Sequence, residues 1–171
     1  MMRNRIPFLW NDRRGSAGVE MALVTPLLMV LMFGATELGK YFWDEHVVVK
    51  AVRDGARFAS RQSYSSMPCG GTATNETQIK NVVRTGSTDG TESARLYYWT
   101  NPATITVTIG CYANSGAGGT TVYSGLYDGM SNVPLVTVEA SVPYTPLIGS
   151  IGFPTTGLML NASSQATVAG L

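Results

Sequence analysis

Between Glu20 and Glu37 the chain carries no charged side chain across sixteen consecutive positions, Met21-Ala22-Leu23-Val24-Thr25-Pro26-Leu27-Leu28-Met29-Val30-Leu31-Met32-Phe33-Gly34-Ala35-Thr36. As an α-helix this run covers ~24 Å, a little short of a ~30 Å hydrocarbon core. Ala17, Gly18 and Val19 extend it on one side, and Leu38, Tyr41, Phe42 and Trp43 on the other. Tyr41 and Trp43 suit an interfacial belt, and Lys40 is able to snorkel. One membrane-spanning helix is the reading. Its flanks set its direction: Arg3, Arg5, Arg13 and Arg14 stand before it against Asp12 alone, which by the positive-inside rule places the N-terminus in the cytoplasm and everything beyond residue 44 outside. A secretory signal peptide shares the basic start and apolar core. It requires a small-residue cleavage site after that core, whereas Gly34-Ala35-Thr36 runs on into the helix-compatible Glu37-Leu38-Gly39-Lys40-Tyr41-Phe42-Trp43.

Glu20 is the residue that does not fit a plain anchor. A carboxylate at the bilayer centre costs up to ~3 kcal/mol, less near an interface, and usually has a partner. Two readings stand side by side. Glu20 marks the membrane edge beside Arg13 and Arg14. Alternatively, if the chain is cut after Gly15, Ser16 becomes a new N-terminus, Glu20 its fifth residue, and a neighbouring copy's Glu20 neutralises the new α-amino group in a low-dielectric bundle.

Glycine, four residues and glutamate, preceded by basic residues and followed by an apolar helix, resemble the prepilin-peptidase site of type IV pilins and pseudopilins. The longer string Arg13-Arg14-Gly15-Ser16-Ala17-Gly18-Val19-Glu20-Met21-Ala22-Leu23-Val24-Thr25-Pro26-Leu27-Leu28, with Glu37-Leu38-Gly39-Lys40 after the core, resembles TadE-type proteins of tight-adherence (Flp) pilus machines. Ala51-Val52-Arg53-Asp54-Gly55-Ala56-Arg57 is similar to the Ala-x-Arg-x-Gly-Ala-Arg segment common in that family. Met21 departs from the aromatic that related major pilins usually carry after the glutamate. The resemblance implies a pseudopilin made as a bacterial inner-membrane precursor with its outer domain periplasmic. It further implies a leader removed between Gly15 and Ser16 by a prepilin peptidase, a role in assembling an adhesive pilus, and other pilin-like subunits and pilus-assembly membrane proteins as partners. The competing reading is an uncleaved, signal-anchored periplasmic binding module.

Residues 1–15 therefore read as a cytoplasmic leader, 16–43 as the membrane part of the helix, 44–61 as its continuation outside, and 62–171 as an outer α+β domain. In the continuation, Tyr41, Glu45 or Val48, Val52, Gly55 and Ala59 recur every three or four positions, while Lys50, Arg53, Asp54, Arg57 and Arg61 fall on the other side. One helix of ~68 Å from about Ser16 to Arg61 is predicted, with a Lys50–Asp54 pair on its surface and a bend at Pro26. Its outer half needs cover. Asn75 as cap and Gly86 as stop bracket a short helix over 76–85. Alternation predicts strands at 103–109, with Ile105, Val107 and Ile109 inward, at 136–142, and at 158–168 with Leu158, Leu160, Ala162, Ser164, Ala166 and Val168 inward. A further short strand is expected over 122–127. Two to four antiparallel strands with one apolar face would pack on the helix.

The chemistry-bearing residues are few. Cys69 and Cys111 are the only cysteines, and in an oxidising compartment two cysteines favour a disulfide; the alternative is two separate buried thiols. Cys111 shares the inward parity of Ile105, Val107 and Ile109, which predicts a shielded position. Two cysteines and the single His46 do not supply a comfortable metal site, and no cofactor motif is present. His46 lacks an orienting partner and a cleft, so it reads as solvated, and the chain as a non-enzyme. Residues 1–15 sum to 4 − 1 = +3 of the net +1, and beyond Leu96 no Lys or Arg occurs. Nucleic acid, which requires clustered cations, is excluded as a partner; the lipid bilayer is included. The loop carrying Tyr144, Leu147, Ile148, Ile151 and Phe153 either covers the core or presents a docking surface.

Overall fold

The computed structural model describes residues 15–116, 119–149 and 157–170. The basic leader, with Arg13 and Arg14, and the loop residues Ile151 and Phe153 lie outside that set. The chain divides into compact units Met1–Gly39 and Lys40–Leu171. One helix, α1 (Ser16–Ser60), runs uninterrupted through Pro26. Within the first unit its side chains are almost all exposed, including Val19, Leu23, Leu27, Leu28, Leu31 and Met32. Thr25 and Thr36 turn their hydroxyls back onto the carbonyls of Met21 and Met32, at 2.6 and 2.9 Å. Each hydroxyl is thereby satisfied without water, as an apolar surround requires.

In the second unit α1 becomes one wall of a core. Val48, Ala51, Val52, Gly55, Ala56 and Ala59 are buried, at spacings of three and four, while Lys50, Arg53 and Arg57 are exposed. The face is made of small residues for a reason. A Cβ on Gly55 would lie 2.3 Å from Val83 Cγ2 and 3.7 Å from Val138 Cγ1, so a second helix and the sheet both reach the backbone of α1 at this point. That second helix is α2 (Glu76–Thr85), which turns Ile79, Val82 and Val83 inward and stops at Gly86. There the backbone is left-handed (φ 89°) and the N–H bonds to the Val82 carbonyl at 2.9 Å.

The sheet is an antiparallel meander, β1 (Ile105–Ala113), β2 (Asn132–Pro143) and β3 (Met159–Thr167), with β2 central. Its register aligns Ile105, Val107 and Ile109 with Ala140, Val138 and Val136, and these in turn with Ala162, Ser164 and Ala166. One face is therefore apolar across all three strands, and it closes onto α1 and α2 in a single core with Trp99, Met67 and Leu160. The architecture is the α+β arrangement the alternation predicts: a long N-terminal apolar helix with a small antiparallel sheet.

Several local expectations are corrected. Residues 122–127 form no strand. Gly125 adopts φ 77° within a short 3-10 turn, and the Asn114 side chain takes over the pairing: its Nδ2 donates to the Tyr123 and Tyr127 carbonyls, and its Oδ1 accepts from the Tyr123 N–H. Asn75 precedes α2 but its side chain makes no capping bond. Asp54 pairs with Arg95 (2.9 Å) rather than Lys50, because the segment after α2 crosses that face of α1. Leu158 is exposed, preceding β3 rather than joining it.

Gly55→Ala tests the close approach. Overpacking costs about 1–3 kcal/mol, and the better helix propensity of alanine returns about 1 kcal/mol of it. A net loss of up to about 2 kcal/mol is expected in denaturant unfolding of the outer domain, with a larger loss for Gly55→Leu.

Candidate functional site

Two places carry the sequence-predicted site residues, and a third was not expected. The first is the start of α1. The α-helix begins at Ser16, directly after Gly15, which has 3-10 geometry. Gly15 is exposed, and among the described residues a Cβ built there meets nothing within 4 Å. No contact among the described residues demands glycine at this position. Glu20 is exposed one turn further on, among the exposed apolar side chains Val19, Met21 and Leu23. Gly18 and Gly39 likewise have open space around them.

The second place is the Cys69–Cys111 disulfide, whose Cα atoms are 5.4 Å apart. It joins the loop after α1 to β1. Both cysteines are exposed, which corrects the shielded position predicted for Cys111. Parity chose the correct side of β1, but the cover ends there. Cys111 pairs in register with Pro134, whose carbonyl binds the N–H of Val168, and the next N–H, of Ala169, binds the carbonyl of Ser60, where α1 terminates. Closing a loop of 42 residues stabilises by ~4 kcal/mol in the chain-entropy estimate. His46 is exposed, and among the described residues no group of three or more His, Cys, Asp or Glu side chains is placed to hold a metal ion.

The third place was not foreseen. Lys40, expected to snorkel toward lipid, folds onto the outer unit. Its Nζ lies 2.5 Å from Asp44 Oδ2, donates to the Thr145 carbonyl at 3.2 Å, and stands 5.2 and 4.9 Å from the ring centroids of Tyr98 and Tyr144. The Tyr98 hydroxyl donates to the same Asp44 oxygen at 2.7 Å. Asp44, buried on the sheet side of α1, is thus compensated by a cation and a phenol, the condition under which a buried carboxylate is tolerated. Tyr41 turns inward to an edge contact with Tyr144 (5.2 Å), while Phe42 and Trp43 remain exposed. The sequence signal was available in the Lys40/Asp44 spacing of four. The partners at 98 and 145 carried none.

Among the grooves, one of about 410 Å³ on the outer sheet face is lined by Thr106, Glu139, Ser141, Asn161 and Ser163. It is shallow, and Ser141 and Ser163 already bond to Asn161 and Glu139. No nucleophile–base pair or metal-ligand set is brought together there.

Residues 15–57 match the family model described as TadE-like protein. The match begins at Gly15 and ends at Arg57, so it covers the glycine-to-glutamate spacing, the apolar run and Ala51–Arg57, but not Arg13 and Arg14. No curated protein and no solved structure matches the chain. The N-terminal segment is thus similar to TadE-like proteins, and α1 is the one helix among the described residues long and apolar enough to cross a membrane.

The cluster at Lys40 makes a pH prediction. Burial, and next the hydrogen bond to Asp44, push the Tyr98 phenol above its ordinary range. In the unfolded chain it ionises near pH ~10. The folded state therefore holds a proton that the unfolded state gives up, so the stability it confers is complete below that pH and declines as pH rises further. Tyr98→Phe is expected to lower stability at neutral pH by about 1–2 kcal/mol through the lost bond. It should also flatten the decline over roughly pH 9.5–11, around the ordinary tyrosine pKa, as followed by denaturant midpoints.

Proposed function

We propose that this chain is a membrane-anchored pseudopilin of the TadE-like kind, acting in assembly of an adhesive tight-adherence pilus after a prepilin peptidase removes residues 1–15. It is a structural subunit and not an enzyme; its cargo is its own helix, and it requires no cofactor. It is inserted in the bacterial inner membrane with the N-terminus cytoplasmic and the outer domain periplasmic, and it assembles with other pilin-like subunits.

The observation that carries this reading is the state of the α1 N-terminus. Gly15 is an exposed glycine directly before the first α-helical residue, and no contact among the described residues requires it to lack a side chain. A peptidase pocket that admits no side chain supplies the missing reason. The family match starting at that glycine supports the same reading. The exposed apolar stretch from Val19 to Met32 has no use inside the chain, and its small residues, Gly18, Ala22 and Gly39 among them, allow close approach of like helices. Glu20 then has a role in an assembly: its carboxylate meets the Ser16 α-amino group of a neighbouring subunit.

Two experiments test this. Intact mass and N-terminal sequencing of the mature protein from its native host should give a chain beginning at Ser16, and Gly15→Ala should slow the cut while leaving the fold of the outer domain unchanged. A mature chain that still begins at Met1 or Met2, or one that begins near Glu37, defeats the pilin reading in favour of the plain anchor or the signal peptide.

Glu20→Gln separates the two roles of that carboxylate. Beside a membrane edge the substitution only removes a desolvation cost, and insertion and adherence persist. Opposite a neighbour's α-amino group it leaves that cation unpaired in an apolar bundle, a loss of about 3–5 kcal/mol. Insertion and cleavage should then continue while pilus assembly fails. Normal surface adherence at wild-type protein levels would remove Glu20 from assembly.

A further inference from the structure

Four large apolar side chains of the outer unit are left exposed around the Lys40–Asp44 pair, and they come from three separate segments. Phe42 and Trp43 of α1 are 51% and 71% exposed, Tyr97 is 75% exposed and Leu147 is 64% exposed. Tyr97 makes an edge contact (5.1 Å) with Tyr98, whose hydroxyl reaches Asp44. Leu147 lies two residues from Thr145, whose carbonyl accepts from Lys40. The two loops are therefore tied to α1 at one level, and that level is the first turn and a half after the apolar segment.

We propose that this end of the outer domain seats in the headgroup layer of the bilayer, with Phe42, Trp43, Tyr97 and Leu147 in contact with lipid. The inference rests on the reading of α1 as a membrane anchor and adds a second lipid contact, made by the folded domain itself. Distance along the helix supports it. From Glu20, about 20 residues at 1.5 Å each cross a ~30 Å hydrocarbon core and end at Lys40. The headgroup region beyond is about 5–7 Å deep, or three to five residues of helix, which contains Phe42 and Trp43. Chemistry supports it too. Tyrosine and tryptophan pair an apolar ring with a polar tip and settle at this depth. A free ammonium and a free carboxylate here would draw water, but Lys40 and Asp44 neutralise each other and are turned inward. Lys40 thus ties both loops to the helix at the membrane surface instead of reaching for lipid phosphate.

The test uses the full chain in proteoliposomes of phosphatidylcholine and phosphatidylglycerol, with the native disulfide intact so that only an added thiol is spin-labelled. Single labels are placed through Tyr97→Cys and Leu147→Cys, with Leu28→Cys as the bilayer reference and Leu126→Cys, exposed near the other end of the sheet, as the aqueous reference. Collision with oxygen, which partitions into lipid, is compared with collision with a water-soluble nickel chelate. Labels at 97 and 147 are expected to show an oxygen-to-nickel ratio several-fold above that at 126 and below that at 28. Values at 97 and 147 equal to that at 126, with 28 in lipid, overturn the seating and leave the anchor intact. An aqueous value at 28 defeats the anchor itself. Exclusion of both probes at 97 and 147, with dipolar broadening between labelled chains, assigns the surface to a second copy and overturns lipid contact. Trp43→Phe gives an independent measurement. Quenching by lipids brominated near the headgroup should be stronger in the unsubstituted chain, and equal quenching in the two counts against the proposal.

Discussion

The close approach at Gly55 is the contact on which the outer domain depends. A helix whose outer half carries Ala51, Gly55, Ala56 and Ala59 has little side-chain bulk to bury, so its stabilisation comes from neighbours that press against its backbone. Val83 of α2 and Val138 of β2 do so at the same glycine. Because β2 is the central strand, fixing Val138 fixes the register of β1 and β3 through their ladders. One absent Cβ thereby links the helix pair to the sheet.

The two units of the chain solve opposite problems with the same helix. From Ala17 to Gly39 most apolar side chains face outward, and the hydroxyls of Thr25 and Thr36 are returned to the helix carbonyls, which leaves Glu20 as the exposed charge of this stretch. From Lys40 onward the same helix carries its charges on the side away from the core, with Asp44 as the exception. Asp44 is buried with Lys40 and Tyr98, and the pair converts what would be a costly carboxylate into a clasp that holds two loops.

The disulfide and the Asn114 network organise the end of the sheet where α1 stops. Cys69–Cys111 restrains an exposed loop against an edge strand, and Asn114 satisfies three backbone groups of the segment that follows β1. Both compensate for the lack of helix cover beyond Ser60. A covalent bond and a side-chain amide serve where apolar burial is not available.

The sequence by itself determined the elements with a clear period. A sixteen-residue uncharged run, a three-four spacing of small and apolar residues to Ala59, and alternation in 103–109, 136–142 and 158–168 located the helix and the three strands, although residues 102–104 form a 3-10 turn and Leu158 precedes its strand. The Cys69–Cys111 pair was legible because the chain has only two cysteines, and the family resemblance rested on a short-range pattern around Gly15 and Glu20. What the tertiary structure alone decided lacks a period. Leu96, Trp99 and Met67 enter the core from loops, Asp54 finds Arg95 across 41 residues rather than Lys50 across four, and 122–127 gives its backbone bonds to Asn114 instead of a strand. Parity placed Cys111 on the inner side but was silent on where the cover ends. Lys40 shows the same limit: local chemistry allowed it to snorkel, and only the arrival of Tyr98 and Thr145 from distant segments turned it inward. Periodicity reports which side of an element is apolar; which neighbour meets that side, and how far it extends, is set by contacts between residues far apart in the chain.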